Sequence, residues 1–254
     1  MKNSVKVTIF LWLSVYLFGL FLGCNRKSPY QFEPQLVVFS LLIADYPTPS
    51  VKLERSLEID KKLPEEGLGV VDAEVVVSID GDTIQYAPVE DKPGFFEPLD
   101  SLMVNPLETY YLNIIVPGEG EIYSMTVVPD TFRIIQPAEG DTLYKSSHLP
   151  FIIWRRSWNA ASYYIDISSR TDTTHVSGTT ISAQDTIFPI FPFFFGDPGD
   201  YVIKVAAIDI NYYDYLKGEE GHPGTAGKEE TSHVYGGLGV FGSCVVESVQ
   251  VFVK

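Results

Sequence analysis

Residues 73–87 read Ala73-Glu74-Val75-Val76-Val77-Ser78-Ile79-Asp80-Gly81-Asp82-Thr83-Ile84-Gln85-Tyr86-Ala87. Ala73, Val75, Val77 and Ile79 alternate with Glu74, Ser78 and Asp80, the period of two that turns one face of a β-strand toward a core. Asp80-Gly81 tolerates the positive φ of a tight turn, so residues 83–87 are expected to fold back as the partner strand of a hairpin. Two carboxylates one residue apart, Asp80 and Asp82, also suit acid–base or metal chemistry. Asp-Gly is turn chemistry in its own right, and the turn is the preferred reading.

The same signal repeats on both sides. Upstream, residues 36–42 are a continuous apolar run of strand length, and Val51 and Leu53 alternate with Lys52 and Glu54. Downstream come Gly94-Phe95-Phe96, then residues 109–116 with Tyr110, Leu112, Ile114 and Val116 on one face, then residues 122–128. That makes seven strands. The order of Ala73-Glu74-Val75-Val76-Val77, Gly94-Phe95-Phe96 and Tyr110-Tyr111-Leu112-Asn113-Ile114 resembles transthyretin-like and carboxypeptidase-regulatory-like sandwiches. The resemblance implies a first β-sandwich over residues 35–130.

The second half carries another resemblance. Pro137-Ala138-Glu139-Gly140, Phe151-Ile152-Ile153-Trp154, residues 161–167 and the segment Pro198-Gly199-Asp200-Tyr201 running on to Asp209 resemble strands of a fibronectin type III sandwich. In that comparison Trp154 is the buried core tryptophan, and Tyr201, just after a Pro-Gly turn, takes the place of the tyrosine corner. The expected architecture is therefore all-β, two tandem sandwiches of Ig-like or fibronectin III-like kind, the second over residues 131–254. No helix beyond a turn or two is expected in either. One departure stands out: residues 211–243 form a long connection before the last apolar strand, and loops beyond about 15 residues are usually functional or disordered.

The N-terminus places the chain. Lys2 and Lys6 precede an apolar run over residues 7–22, the layout of a secretory signal. The run is short of the ~20 residues of a stable membrane helix and lacks an amphipathic period. It ends Leu20-Phe21-Leu22-Gly23-Cys24, which resembles a bacterial lipobox, with Phe21 where Leu is usual. The resemblance implies cleavage after Gly23, lipid on Cys24, and a polar tether over residues 24–34. Two acyl chains hold a protein stably to a membrane where one is marginal. Removing Lys2 and Lys6 takes the basic count from 18 to 16 against 33 acidic residues, so the net charge goes from −15 to −17. So acidic a surface repels phosphate backbones and anionic headgroups, which excludes nucleic acid as a partner. Of the two cysteines, the resemblance commits Cys24 to lipid, and Cys244 sits beside an apolar strand, where it reads as a small buried hydrophobe.

Together, the lipobox, the first sandwich and the ending Tyr235-Gly236-Gly237-Leu238-Gly239-Val240-Phe241-Gly242-Ser243 resemble a family of envelope lipoproteins of Bacteroidetes-type bacteria, often encoded near TonB-dependent receptors. The resemblance implies an outer-membrane location more than an activity. No acidic cluster follows Cys24, which favours the periplasmic face.

Chemistry-bearing motifs are weak. Residues 237–242 match G-x-G-x-x-G, but only a dozen strand-like residues follow where a dinucleotide site needs a helix, so a close backbone passage is the better reading. Asp209, Asn211 and Asp214 partly fit a calcium loop, with Tyr213 at a position that needs an oxygen ligand. His148, His175, His222 and His233 lack metal-ligand spacing, and G-x-S-x-G, S-x-x-K and H-E-x-x-H are absent. No cofactor is expected. Two aromatic groups remain. Residues 188–195, with Phe191, Phe193 and Phe194, must either plug a sandwich edge or stand exposed as a contact surface. Tyr212, Tyr213 and Tyr215 open the long connection and offer stacking area to a glycan or a protein. The two groups are expected at opposite ends of the intervening strand. The leading expectation is a lipid-anchored accessory protein that binds an envelope partner such as a TonB-dependent receptor; the alternative is a glycan-binding module, and an enzyme comes third.

Overall fold

A computed structural model describes residues 32–58, 61–65, 67–145, 150–219 and 232–254. The chain divides into Met1–Glu33 and Pro34–Lys254, and the fold is that of the second unit. Cys24, His148 and His222 lie outside the described residues.

The expected strands are present. The first seven are β1 (Leu36–Ile43), β2 (Val51–Arg55), β3 (Glu74–Ile79), β4 (Asp82–Pro88), β5 (Phe95–Pro98), β6 (Thr109–Val116) and β7 (Gly120–Val127). Asp80 and Gly81, with φ of 44° and 91°, make the β3–β4 turn. The alternation works as the sequence implies: Val75 and Val77 of β3 and Tyr110, Leu112, Ile114 and Val116 of β6 are all buried. Each such side chain contributes about 1.5–3 kcal/mol by leaving water.

Nine more strands follow: β8 (Ile134–Gln136), β9 (Thr142–Leu143), β10 (Phe151–Trp154), β11 (Ser162–Ser169), β12 (His175–Thr179), β13 (Ile187–Pro189), β14 (Gly199–Ile208), β15 (Val234–Tyr235) and β16 (Leu238–Val253). Strands β13-β10-β8 form one small sheet, facing β12-β11-β14 and the C-terminal part of β16, the three-on-four arrangement of a fibronectin III-like sandwich. Trp154 is buried against Tyr163, with ring centroids 5.1 Å apart. The Tyr201 hydroxyl donates to the Asp197 carbonyl at 2.9 Å, the tyrosine corner expected there.

Two expectations fail in the last third of the chain. Residues 210–219 are not loop but a ten-residue helix, α1 (Ile210–Glu219). Its start is fixed by Asp209, whose Oδ1 accepts the Tyr212 backbone N–H at 2.9 Å as an N-cap. The last strand begins at Leu238 rather than near residue 245. Residues 238–244 run parallel to β1, from Val37↔Leu238 to Ile43↔Cys244, and the remainder runs antiparallel to β14, from Ile208↔Cys244 to Gly199↔Val253. A single strand thus belongs to both sandwiches, and one sheet runs from β12 through β16 and β1 to β15. Sixteen residues at about 3.3 Å each span about 50 Å. The chain arrives at Pro34 beside the start of β16, and Gly199 lies beside its end.

Helix α1 explains why residues 240–245 are buried without alternation. Core lies on one face of β16, and on the other Tyr213 packs with Ile208 and Cys244, with Tyr212 and Leu216 against them. The glycines of this stretch allow the close approach. Gly239 has φ of 100°, and a Cβ built there would lie 2.0 Å from the Val38 carbonyl oxygen. Among the described residues no helix is long and apolar enough to cross a membrane.

Candidate functional site

The phenylalanine run resolves into an anchor and a display. Ile190 and Phe195 are buried, and Phe195 meets Tyr201 edge-on with centroids 5.0 Å apart. Phe194 is half-buried and stacks on Phe188 at 6.2 Å, which itself packs against the core. Phe191 and Phe193 are left 43% and 77% exposed, their rings within 8° of parallel and 5.3 Å apart, and both meet Phe194 edge-on. The prolines organise this. Pro189 ends β13, and Pro192 opens the single 3-10 turn Pro192–Phe194 that throws alternate rings outward. The patch continues across the small sheet: Phe151 lies opposite Pro189, Ile153 opposite Ile187, and Phe151 and Ile187 are exposed. Buried plug and exposed rings are therefore both present in one segment.

The tyrosine cluster does not form one exposed platform. Tyr213 turns inward, is buried, and its hydroxyl donates to the Ile181 carbonyl at 2.6 Å. Lys217 lies over its ring at 4.0 Å. Tyr212 and Tyr215, one helical turn apart, hold near-parallel rings 6.3 Å apart, and Tyr215 meets Phe39 of β1 edge-on at 5.9 Å. As expected, these tyrosines and Phe191 lie at opposite ends of β14.

The calcium reading of Asp209, Asn211 and Asp214 is corrected by their partners. Asp209 is buried, and its Oδ2 accepts from Thr126 Oγ1 at 2.6 Å. Asn211 donates its amide to the Met125 and Phe241 carbonyls at 2.6 and 2.8 Å. Asp214 lies 2.8 Å from His233 Nε2, joining α1 to the residue before β15. The three carboxylate and amide groups are each taken up by the protein itself. Among the described residues no group of three or more His, Cys, Asp or Glu converges on a metal-sized space. Burial holds the Asp209 carboxyl above its ordinary range despite the hydroxyl and amide donors, and pushes the Cys244 thiol up to about 12. Such a thiol is not a nucleophile at neutral pH.

A model of DUF4249, a domain of unknown function, matches residues 25–250. The chain belongs to the DUF4249 family. No curated protein matches it. Among solved structures, this DUF4249 chain is similar to the FN1-FN3 domains of chicken CNTN1 (11% identity, TM-score 0.25), covering 87% of its own length and 66% of that chain. It is also similar to a two-domain fibronectin type III segment of chicken tenascin (13% identity, TM-score 0.21), covering 69% of its own length and 91% of that chain. The fibronectin-like assignment of the DUF4249 fold stands on strand order, Trp154 and Tyr201.

One surface escaped the sequence reading. On the outer face of β6 and β7, Tyr111, Ile115, Tyr123 and Met125 are exposed, and Tyr235 of β15 is exposed beside them. Tyr111 lies opposite Met125, and Tyr123 opposite Tyr235. The signal was available, since burying Tyr110, Leu112 and Ile114 obliges Tyr111, Asn113 and Ile115 to face out.

Proposed function

We propose that this protein is a lipid-anchored accessory protein of the bacterial cell envelope that works by binding another protein and catalyses no reaction. The observation that carries the reading is the display of Phe191 and Phe193. They sit at the Gly199 end of β14, which lies at the opposite end of β16 from the side where Pro34 enters. Lipid on Cys24 and a tether of about ten residues would hold the chain at the membrane. A core-anchored aromatic pair beside Phe151 and Ile187 is the composition of an interface centre. The fibronectin III-like scaffold suits such a role, and the acidic surface keeps the chain off anionic lipid headgroups.

The finer reading names an outer-membrane lipoprotein, facing the periplasm, in a Bacteroidetes-type bacterium, with an envelope protein such as a TonB-dependent receptor as partner. What supports it is the Gly23-Cys24 ending without an acidic cluster behind it. The test has two arms. Cys24→Ser should move the protein from the membrane to the soluble fraction. A photoreactive side chain at position 193 should capture an envelope protein in cells, and Phe191→Ala should weaken that capture without loss of fold. A protein that stays membrane-bound without Cys24, or no capture at position 193, overturns the reading.

A further inference from the structure

The outer face of the first sandwich is a second contact surface. Register places its side chains without ambiguity. One cross-strand row reads Gln85, Val76, Asn113, Tyr123, Tyr235, and the next reads Thr83, Ser78, Tyr111, Met125. A third joins Glu74, Ile115 and Glu121. The Tyr123 and Tyr235 rings lie 6.3 Å apart at 36°, and the Glu121 carboxylate holds the Asn113 amide at 2.6 Å. Unlike the opposite face, this one has no second layer among the described residues over Tyr111, Tyr123, Met125 or Tyr235, which are all exposed.

Its composition separates it from an ordinary solvated sheet. Exposed edge strands, of which β15 is one, commonly carry lysine as a guard against unwanted pairing. The five strands β3, β4, β6, β7 and β15 contain no Lys or Arg at all. Tyrosine and methionine at the centre with lysine depleted is the signature of a protein interface. The charges on the face, Glu74 and Glu121, have one sign. We infer that the face around Tyr111, Tyr123, Met125 and Tyr235 docks a protein whose contact surface has an apolar centre and a Lys- or Arg-bearing rim.

Charge selects that occupant over a second copy of the chain. The full chain carries a net charge of −15, so a copy would bring like charge to Glu74 and Glu121, whereas a basic rim complements them. Five strands about 4.8 Å apart and four residues of length give a centre of about 270 Å², against about 800 Å² per partner in a standard interface. A centre of that size needs the surrounding charges to complete it. This inference is independent of the lipid on Cys24 and of Phe191 and Phe193.

The experiment places benzoylphenylalanine at position 123, and in a second variant at position 85, of the full-length protein in its own cells. Mass spectrometry identifies the adduct, and binding of the captured protein is then measured with purified components. The expected result is a protein adduct whose affinity falls at least tenfold with Tyr123→Ser and severalfold with Glu74→Lys, and weakens with added salt. Both variants should keep the parent's unfolding midpoint, since both positions are exposed. An adduct to the chain itself, to glycan or to lipid overturns the inference, as does no adduct at either position. So does a captured protein that binds Tyr123→Ser or Glu74→Lys as well as the parent.

Discussion

Thr126 and Ser243 share a hydrogen bond of 2.7 Å although 117 positions separate them. Thr126 gives its one proton to Asp209 at 2.6 Å, so Ser243 is the donor to Thr126. The chain Ser243–Thr126–Asp209 joins β7, β16 and the cap of α1, the place where the two sandwiches become one body. Thr126→Val should leave the buried Asp209 oxygen without its donor, at a cost of about 1–3 kcal/mol in urea unfolding.

Asp209 itself makes stability depend on pH. Burial, the largest effect, raises its native pKa above the ordinary 3.8. The native state therefore holds the proton more tightly than the unfolded chain. The stabilisation from this group is complete below pH 3.8 and is lost as pH rises through the native value. Asp209→Asn, still able to cap α1, should flatten the fall in unfolding free energy as pH rises above about 3.8. A slope unchanged from the parent would contradict this origin.

Tyr201→Phe removes the hydroxyl that holds the Asp197 carbonyl and nothing of the ring that meets Phe195. The expected loss is about 1 kcal/mol, the net worth of one hydrogen bond, read from the urea midpoint with an unchanged slope.

Gly239→Ala should cost much more than Gly81→Ala, although both positions have positive φ. A Cβ at Gly239 would meet the Val38 carbonyl at 2.0 Å, whereas none of the protein lies within 4 Å of one at Gly81. Turn strain alone is worth about 1 kcal/mol at Gly81. Strain and overpacking together predict about 3 kcal/mol or more at Gly239. Thermal melts of the two variants side by side decide it.

In a Cys24→Ser background Cys244 is the sole thiol. Buried, with its pKa pushed up to about 12, it should resist alkylation at pH 8 in the native protein. It should react at full rate once urea unfolds the chain.

Period-two patterning was enough to find β2, β3 and β6 because each buries one face and wets the other. Residues 210–219 fell in the expected long connection because Ile210, Tyr212, Tyr213 and Tyr215 carry little helix propensity, while the Asp209 cap and the packing of Tyr213 and Leu216 onto β16 make a helix. Residues 237–242 were expected to pass close to other backbone ahead of the last strand, and the passage is along β1 in register, from Val37↔Leu238 onward, as part of that strand. Of the aromatic residues singled out, Phe191 and Phe193 are displayed. Phe194 and Tyr213 went inward because a single residue's exposure depends on contacts with Phe188 and Ile181 that sequence spacing does not encode.

The continuity of β16 has a mechanical side. A pull on the chain at Pro34, directed away from Gly199, runs along the axis of β1. There the parallel ladder from Val37↔Leu238 to Ile43↔Cys244 is loaded in shear, so its bonds share the force instead of opening one by one. The load then passes down the same strand into β14. A tug at one end of β16 is thus carried to its other end along one continuous strand.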